Sequence, residues 1–393
     1  MNHQLQLLQK VTNKSERRIL GLMSGTSLDG LDLALCKISG SGLQTELQLE
    51  FFKTISYPEI FKAELRSVFA QKQVSLEKLT LLNAYIGNYH ADLVVETLKS
   101  WGVAPEEVDV IASHGQTVYH APKNFHEQVG YPNATLQIGD GDHLAYKTGI
   151  LTLSDFRQKH TAIGGEGAPL AIYGDYILLS SNVENRILLN LGGIANFTFL
   201  PQNNKPYQVV SSDVGPANTL IDAAVMEYFQ QDYDAGGALA ESGKVNQEYL
   251  KELSKHPFLS KTLPKSTGPE MFSWNWAKNV LQDLELNLGP EDILATLSQF
   301  TVNGIAEPIK KHFNLPNTSL YVSGGGLHNT FLMKKLQEAL PEIKCQPLEV
   351  LGISADAKEA ILFAVLANET LFGEPIAFAG LPAVSLGKLS FPT

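Results

Sequence analysis

Cysteine is all but missing. Cys36 and Cys345 are the only two in 393 residues, too few for a disulfide framework and wrongly spaced for a zinc site. Both sit in apolar runs and are expected as buried free thiols in a reducing compartment. Positive charge is also scarce: 30 Lys and Arg against 41 Asp and Glu leave a formal net charge of −11, which repels a phosphate backbone or an anionic bilayer. The densest basic group, Lys14 to Arg18, reads as a solvated leader rather than a binding arm. No run approaches the roughly 18 apolar residues of a membrane span, and Met1 to Lys10 lacks the apolar core of a signal peptide. Nucleic acid and membrane are therefore excluded as partners, and a cytoplasmic location is expected. The chain has no His-Glu-x-x-His, no Cys-x-x-Cys and no Gly-Lys-Ser/Thr loop, which speaks against a metal hydrolase and a P-loop enzyme.

The chain is rich in material for a core. Hydrophobic residues make up 44% of it, with 18 Phe and 13 Tyr, enough for two domains. Its most informative stretch is Gly21-Leu-Met-Ser-Gly-Thr-Ser-Leu-Asp-Gly-Leu-Asp32, set between two apolar runs and so predicted as a hairpin turn. Gly25 and Gly30 are expected to take positive φ there, with Thr26 and Ser27 adding hydroxyl donors to form an anion-holding tip. Asp29 and Asp32 supply carboxylates with which a magnesium ion, directly or through water, would neutralise phosphate oxygens.

A third strand over 47–55 and helices near 60–69 and 76–99 follow. Val108 to Thr117 reads as a buried strand ending in a polar turn, with Ser113, His114, Gln116 and Thr117 at the end where open α/β sheets bind ligands. Gln137-Ile-Gly-Asp140 opens a short helix to Thr148. Ile150 to Arg157 reads as the next strand, and the two-residue period puts Asp155 and Arg157 on one face, as a structural ion pair or as catalytic groups. Residues 162–170 form a glycine-rich loop.

From Arg186 the plan repeats: strand, the turn Gly192-Gly193, strand, third strand to Asp213, then the helix 219–229 capped by Asn218 and Thr219. Residues 232–287 interrupt this copy and read as loops over a cleft, in which Lys265-Ser-Thr-Gly268 offers a cation and hydroxyls. The helix 292–313 leads to a strand ending in Gly324-Gly325-Gly326, where bare backbone would admit a flat ring. A helix over 329–340, a strand over 342–348, a helix over 356–371 and an extended tail with Pro375, Pro382 and Pro392 complete the chain.

Two α/β halves of this kind describe an α/β two-lobed actin/hexokinase/Hsp70-like (ribonuclease H-like) duplicated fold with an interlobe cleft. The expected lobes are 17–180 and 181–393, with the final segment packing back on the first. The motifs Met23-Ser-Gly-Thr-Ser-Leu-Asp-Gly-Leu-Asp32, Ser113-His-Gly-Gln-Thr117, Asp155-Phe-Arg157, Asn190-Leu-Gly-Gly-Ile-Ala-Asn196, Asp213-Val-Gly-Pro-Ala-Asn218 and Pro264-Lys-Ser-Thr-Gly268, in this order, closely resemble the anhydro-N-acetylmuramic acid kinase family.

That resemblance implies an ATP- and Mg2+-dependent enzyme of cell-wall sugar recycling. It would act on a small-molecule amino sugar, adding water to the anomeric carbon and phosphorylating the oxygen at carbon 6 to give N-acetylmuramate 6-phosphate. Asp155 is carried over as the catalytic base. Gly25, Thr26, Ser27, Leu28, Asp29, Gly30, Leu31 and Asp32, with Gly192 and Gly193, are carried over to the ATP phosphates, and Gly324, Gly325 and Gly326 to adenosine. Asp29 is the metal candidate; Arg157, His114, Gln116, Asp213 and Asn218 are the substrate candidates, and a homodimer is allowed. Glu166, Val214, Ala217 and Pro269 depart from the family's usual residues, so the alternatives are a kinase of another sugar and a nucleotide-binding protein without turnover.

Overall fold

The computed structural model describes residues 2–313, 315–378 and 383–393, the side chains of Asn124 and Pro269 excepted; Pro382 of the expected tail lies outside them. The chain divides into two compact units, residues 1–178 with 356–393, and residues 179–355.

The first unit runs α1 (His3–Thr12), β1 (Glu16–Ser24), β2 (Gly30–Ser39), β3 (Glu46–Ser56), α2 (Glu59–Arg66), α3 (Leu76–Trp101), β4 (Val110–Ala121), α4 (Lys123–His126), β5 (Ala134–Ile138), α5 (Gly141–Thr148), β6 (Thr152–Ser154), α6 (Phe156–Ala162) and α7 (Ala171–Leu179). The second contains β7 (Asn185–Leu191), β8 (Ile194–Leu200), β9 (Val210–Pro216), α8 (Asn218–Phe229), α9 (Ala238–Ser242), α10 (Gln247–Leu253), α11 (Trp274–Asp283), α12 (Pro290–His312), β10 (Thr318–Ser323), α13 (Thr330–Ala339) and β11 (Lys344–Pro347). The chain then returns to the first unit with α14 (Lys358–Phe372) and β12 (Lys388–Ser390).

Both sheets follow one plan. In the first, the spatial order β3-β2-β1-β4-β6 joins antiparallel β1, β2 and β3 to parallel β4 and β6. In the second, β9-β8-β7-β10-β11 repeats the order and the directions. This is the duplicated actin/hexokinase/Hsp70-like fold. A central parallel strand must be covered on both faces, and β1 is buried almost throughout. Gly21 shows how close its cover lies: a Cβ there would sit 1.9 Å from the carbonyl oxygen of Ala360 in α14. Local signals set the helix ends. The Ser75 hydroxyl accepts from Lys78 N–H to start α3, left-handed Gly102 ends it, and Pro290 with Glu291 and Asp292 opens α12.

Several expectations are corrected. Lys14 to Arg18 is no solvated leader: Arg17 lies within β1, buried, with Nε and Nη2 donating to Asn368 Oδ1 and its guanidinium 3.8 Å from the Phe372 ring centroid. The strand ending at Thr117 continues to Ala121 through left-handed Gly115 and pairs with β5, which the sequence did not announce. The strand over 150–157 shrinks to Thr152–Ser154 because Asp155 adopts φ 57° and starts α6. Residues 232–287 carry α9, α10 and α11, and Tyr249 and Leu253 of α10, Ala277 of α11 and Phe258 and Phe272 from the segment between those two helices share a buried core with α8 and α12, so the stretch is a packed helical insert and not loops over a cleft. The tail adds β12 against β6.

Candidate active site

The β1–β2 turn is a hairpin, but its left-handed residue is Leu28 (φ 59°), while Gly25 and Gly30 keep ordinary backbone angles. Leu28 and Leu31 turn their side chains into the core, so they offer a ligand only backbone. Gly30 is needed by β3, since a Cβ would lie 2.4 Å from Ile55 O; Gly25 has no such neighbour, its nearest heavy atom being Ser27 Oγ at 3.5 Å. Thr26, Ser27 and Asp29 are exposed. Ser27 Oγ donates to Asp29 Oδ1 at 2.7 Å, and Thr54 Oγ1 to Asp32 Oδ1 at 2.6 Å. Burial holds Asp32 above the usual carboxylate range, with Asp29 and Asp356 adding to the rise and the Thr54 hydroxyl opposing it.

Behind this turn lies a buried polar chain. Arg157 Nη1 donates to Gly167 O at 2.7 Å and Nε to His114 Nε2 at 3.0 Å. His114 must then carry its proton on Nδ1, which faces Ser24 O at 3.1 Å. Ser24 Oγ donates to Gln116 Oε1 at 2.5 Å, and Gln116 Nε2 reaches Gly25 O at 3.1 Å. Desolvation first, then the Arg157 charge, pushes His114 down to about 3, and desolvation pulls Arg157 down to about 10. The structure thus brings His114, Gln116 and Arg157 together with the turn.

Asp155 is not part of that chain. With α6 replacing the strand, it does not share a strand face with Arg157; its Oδ2 accepts from Lys388 Nζ of β12 at 2.7 Å. Lys388 stands 233 positions away in sequence, and no local pattern points to it. Glu359, in the first turn of α14, was also missed: desolvation raises it, Arg157 opposes, and Asp32 and Asp29 add to the rise.

In the second unit the turn Gly192-Gly193 is held from α8. Asn218 N–H donates to Gly192 O, Ala217 N–H to Gly193 O, and Thr219 Oγ1 to Gly193 O at 2.8 Å. Asn218 Nδ2 donates to Leu191 O at 3.1 Å. These side chains therefore fasten the turn rather than cap α8, whose N-cap is Ala217 without a side-chain bond. The glycine run meets the same strand end: at left-handed Gly324 a Cβ would lie 2.7 Å from Asn190 Oδ1 and Leu191 O, and at Gly326 2.6 Å from Leu191 Cβ. Gly325 is the open one, with Asn218 Nδ2 at 3.7 Å.

Asp213, half-buried on β9, accepts Thr267 N–H on Oδ2 at 2.8 Å, and its own N–H donates to Lys265 O. Burial raises its pKa, and the Thr267 bond lowers it. The Lys265 cation is spent internally, its Nζ donating to Phe258 O and Leu259 O at 3.0 and 3.1 Å and lying 4.4 Å from the Phe258 ring centroid. It is not offered to a ligand, contrary to the sequence reading.

Magnesium wants hard oxygen donors and keeps much of its water. Asp29 and Asp32 provide two carboxylates, and the charge of Asp29 adds to the rise in the proton affinity of Asp32, a repulsion that a dication relieves. Among the described residues no group of three or more His, Cys, Asp or Glu could hold a metal. The donor set therefore fits an ion held by one or two carboxylates, water and phosphate oxygens.

A family model described as anhydro-N-acetylmuramic acid kinase matches residues 17–386. The chain is similar to proteins of that name from Pseudoalteromonas translucida (strain TAC 125), 49% identical over 96% of each chain, and Pseudoalteromonas atlantica (strain T6c / ATCC BAA-1087), 48% identical over 100% of each. A third, from Caldanaerobacter subterraneus subsp. tengcongensis, is 38% identical over 98% of this chain and 99% of its own.

Proposed function

This chain belongs to the anhydro-N-acetylmuramic acid kinase family, and from that premise we propose how its residues divide the work. The enzyme phosphorylates anhydro-N-acetylmuramic acid, with ATP as donor. Water attacks the anomeric carbon, its bond to O6 breaks, and O6 takes the γ-phosphoryl group, giving N-acetylmuramate 6-phosphate. Such transfer depends on positioning and charge neutralisation rather than on a covalent nucleophile. The backbone of Gly25 to Asp32 and of Gly192-Gly193 receives phosphates, and Gly325 leaves room for the adenosine. Asp29, backed by Asp32, would hold magnesium, which neutralises phosphate charge when bound.

Arg157 carries the sugar contact. Its Nη2 has no partner among the described residues, while His114 and Gln116 have their polar side-chain atoms committed inside the protein and serve to aim it and the turn. For the base, Asp213 is favoured over Asp155. A base needs a free lone pair and a pKa drawn up towards neutrality; Asp213 has one engaged oxygen and a raised pKa, whereas Asp155 faces an ammonium at 2.7 Å.

No helix among the described residues is long and apolar enough to cross a membrane; action in the cytoplasm and a homodimer belong to this proposal. The test is turnover of magnesium-ATP and 1,6-anhydro-N-acetylmuramate in oxygen-18 water. Label at the anomeric hydroxyl and phosphorus on O6 are expected. Label in the phosphate, or turnover with a different sugar alone, would overturn the reading.

A further inference from the structure

Tyr57 lies just past the end of β3 and belongs to no motif, yet it touches both ends of the glycine turn. Its backbone N–H donates to Asp29 O at 2.9 Å. Its phenol OH donates to Ser24 Oγ, also at 2.9 Å. Residues 24 and 29 flank the exposed tip, so one side chain and its own backbone close the turn from behind. The phenol oxygen faces His90 Nε2 of α3 at 2.8 Å, and because the phenol proton goes to Ser24, His90 is the donor. Tyr57, His90 and Ser24 are all buried, 1–3% exposed. Ser24 in turn holds Gln116, which returns to Gly25 O.

We propose that Tyr57, backed by His90, is a positioning residue for nucleotide binding: it fixes the separation of Ser24 and Asp29, and so the direction of the N–H groups and carboxylate at the tip. A phosphate oxygen is gripped well only by donors already aimed at it, because a turn free to widen must be ordered at the moment of binding. The phenol does not touch the ligand. This inference rests on the turn being a phosphate site.

Tyr57→Phe keeps the backbone bond and the ring but deletes the clamp, and it leaves the His90 N–H buried without its acceptor. The double variant Tyr57→Phe/His90→Leu removes that second defect. Calorimetric titration with the non-hydrolysable analogue AMPPNP and magnesium is expected to show affinity weakened about three- to ten-fold in both variants, the loss of one hydrogen bond's worth of ordering. The KM for the anhydro sugar is expected to stay unchanged, and the thermal midpoint to fall in the single variant and recover in the double. If both variants bind the analogue like the wild type while Asp29→Ala binds it weakly, Tyr57 is merely structural and the inference fails. If Asp29→Ala also binds normally, the phosphate reading of the turn fails with it.

Discussion

Two aspartates compete for one role, and their surroundings separate them by experiment. Asp213→Asn keeps an acceptor for Thr267 N–H but cannot take a proton, so kcat is expected to fall roughly 10²–10⁴-fold with AMPPNP affinity unchanged. Asp155→Asn, which loses a pairing with a half-exposed lysine, is expected to cost far less; the reverse ranking by steady-state kinetics would return the base role to Asp155. Stability supplies an independent check. Folding raises the Asp213 pKa, so its contribution is present below its unfolded pKa and is lost as pH rises through the folded value. The Asn variant should therefore melt higher than the wild type at pH 7, by scanning calorimetry. His90 and His114 run the other way: burial lowers them from 6.5 to about 4 and about 3. Their contribution is present above pH 6.5 and is lost as pH falls through about 4 for His90 and about 3 for His114. Urea titrations across that window should show stability declining with acid, and His90→Gln should flatten the decline.

At the scale of elements, the glycines of the two turns serve different ends. Gly324 combines φ 86° with backbone contacts that leave no room for a methyl group, so Gly324→Ala is expected to destabilise by roughly 1–3 kcal/mol from strain alone. Gly25 has an ordinary φ and open space, so Gly25→Ala should melt like the wild type yet bind AMPPNP more weakly. A lowered thermal midpoint for Gly25→Ala would make the turn structural. The sequence revealed the turns because apolar runs bracket them, but it could not reveal that Leu28 takes the left-handed angle. Burial of the Leu28 side chain decides that, and burial is a long-range property. The same limit explains the error at residues 150–157. The period-2 pattern was sound for Thr152 to Ser154, but Asp155 leaves the strand through a single left-handed angle that no neighbouring glycine signals. His114 and Gln116 were legible as a pocket-forming group; their commitment to Ser24 and Arg157 was not, since those partners come from elsewhere in the chain.

For the molecule as a whole, duplication was readable because a glycine turn between strands recurs near residues 25 and 192, and the two sheets bear this out in order and direction. The contacts of the last helix were harder to read, because nothing in an apolar helix names the surface it covers. Here α14 lies against β1, with Phe363 packed on His114 and Phe156 and its backbone in the groove that Gly21 leaves bare. Ile361, Phe363, Val365 and Leu366 are each 0–2% exposed. At about 1.5–3 kcal/mol for each buried side chain, their sum rivals the roughly 5–15 kcal/mol by which a whole domain is stable. Residues 1–178 expressed alone should therefore fail to fold, giving no cooperative transition by circular dichroism, and should recover one when a peptide of residues 356–393 is added. Residues 179–355 are continuous in sequence and carry two cores of their own. That fragment should melt cooperatively without help. A first fragment that folds unaided would show that α14 is a passenger on a sheet already stable.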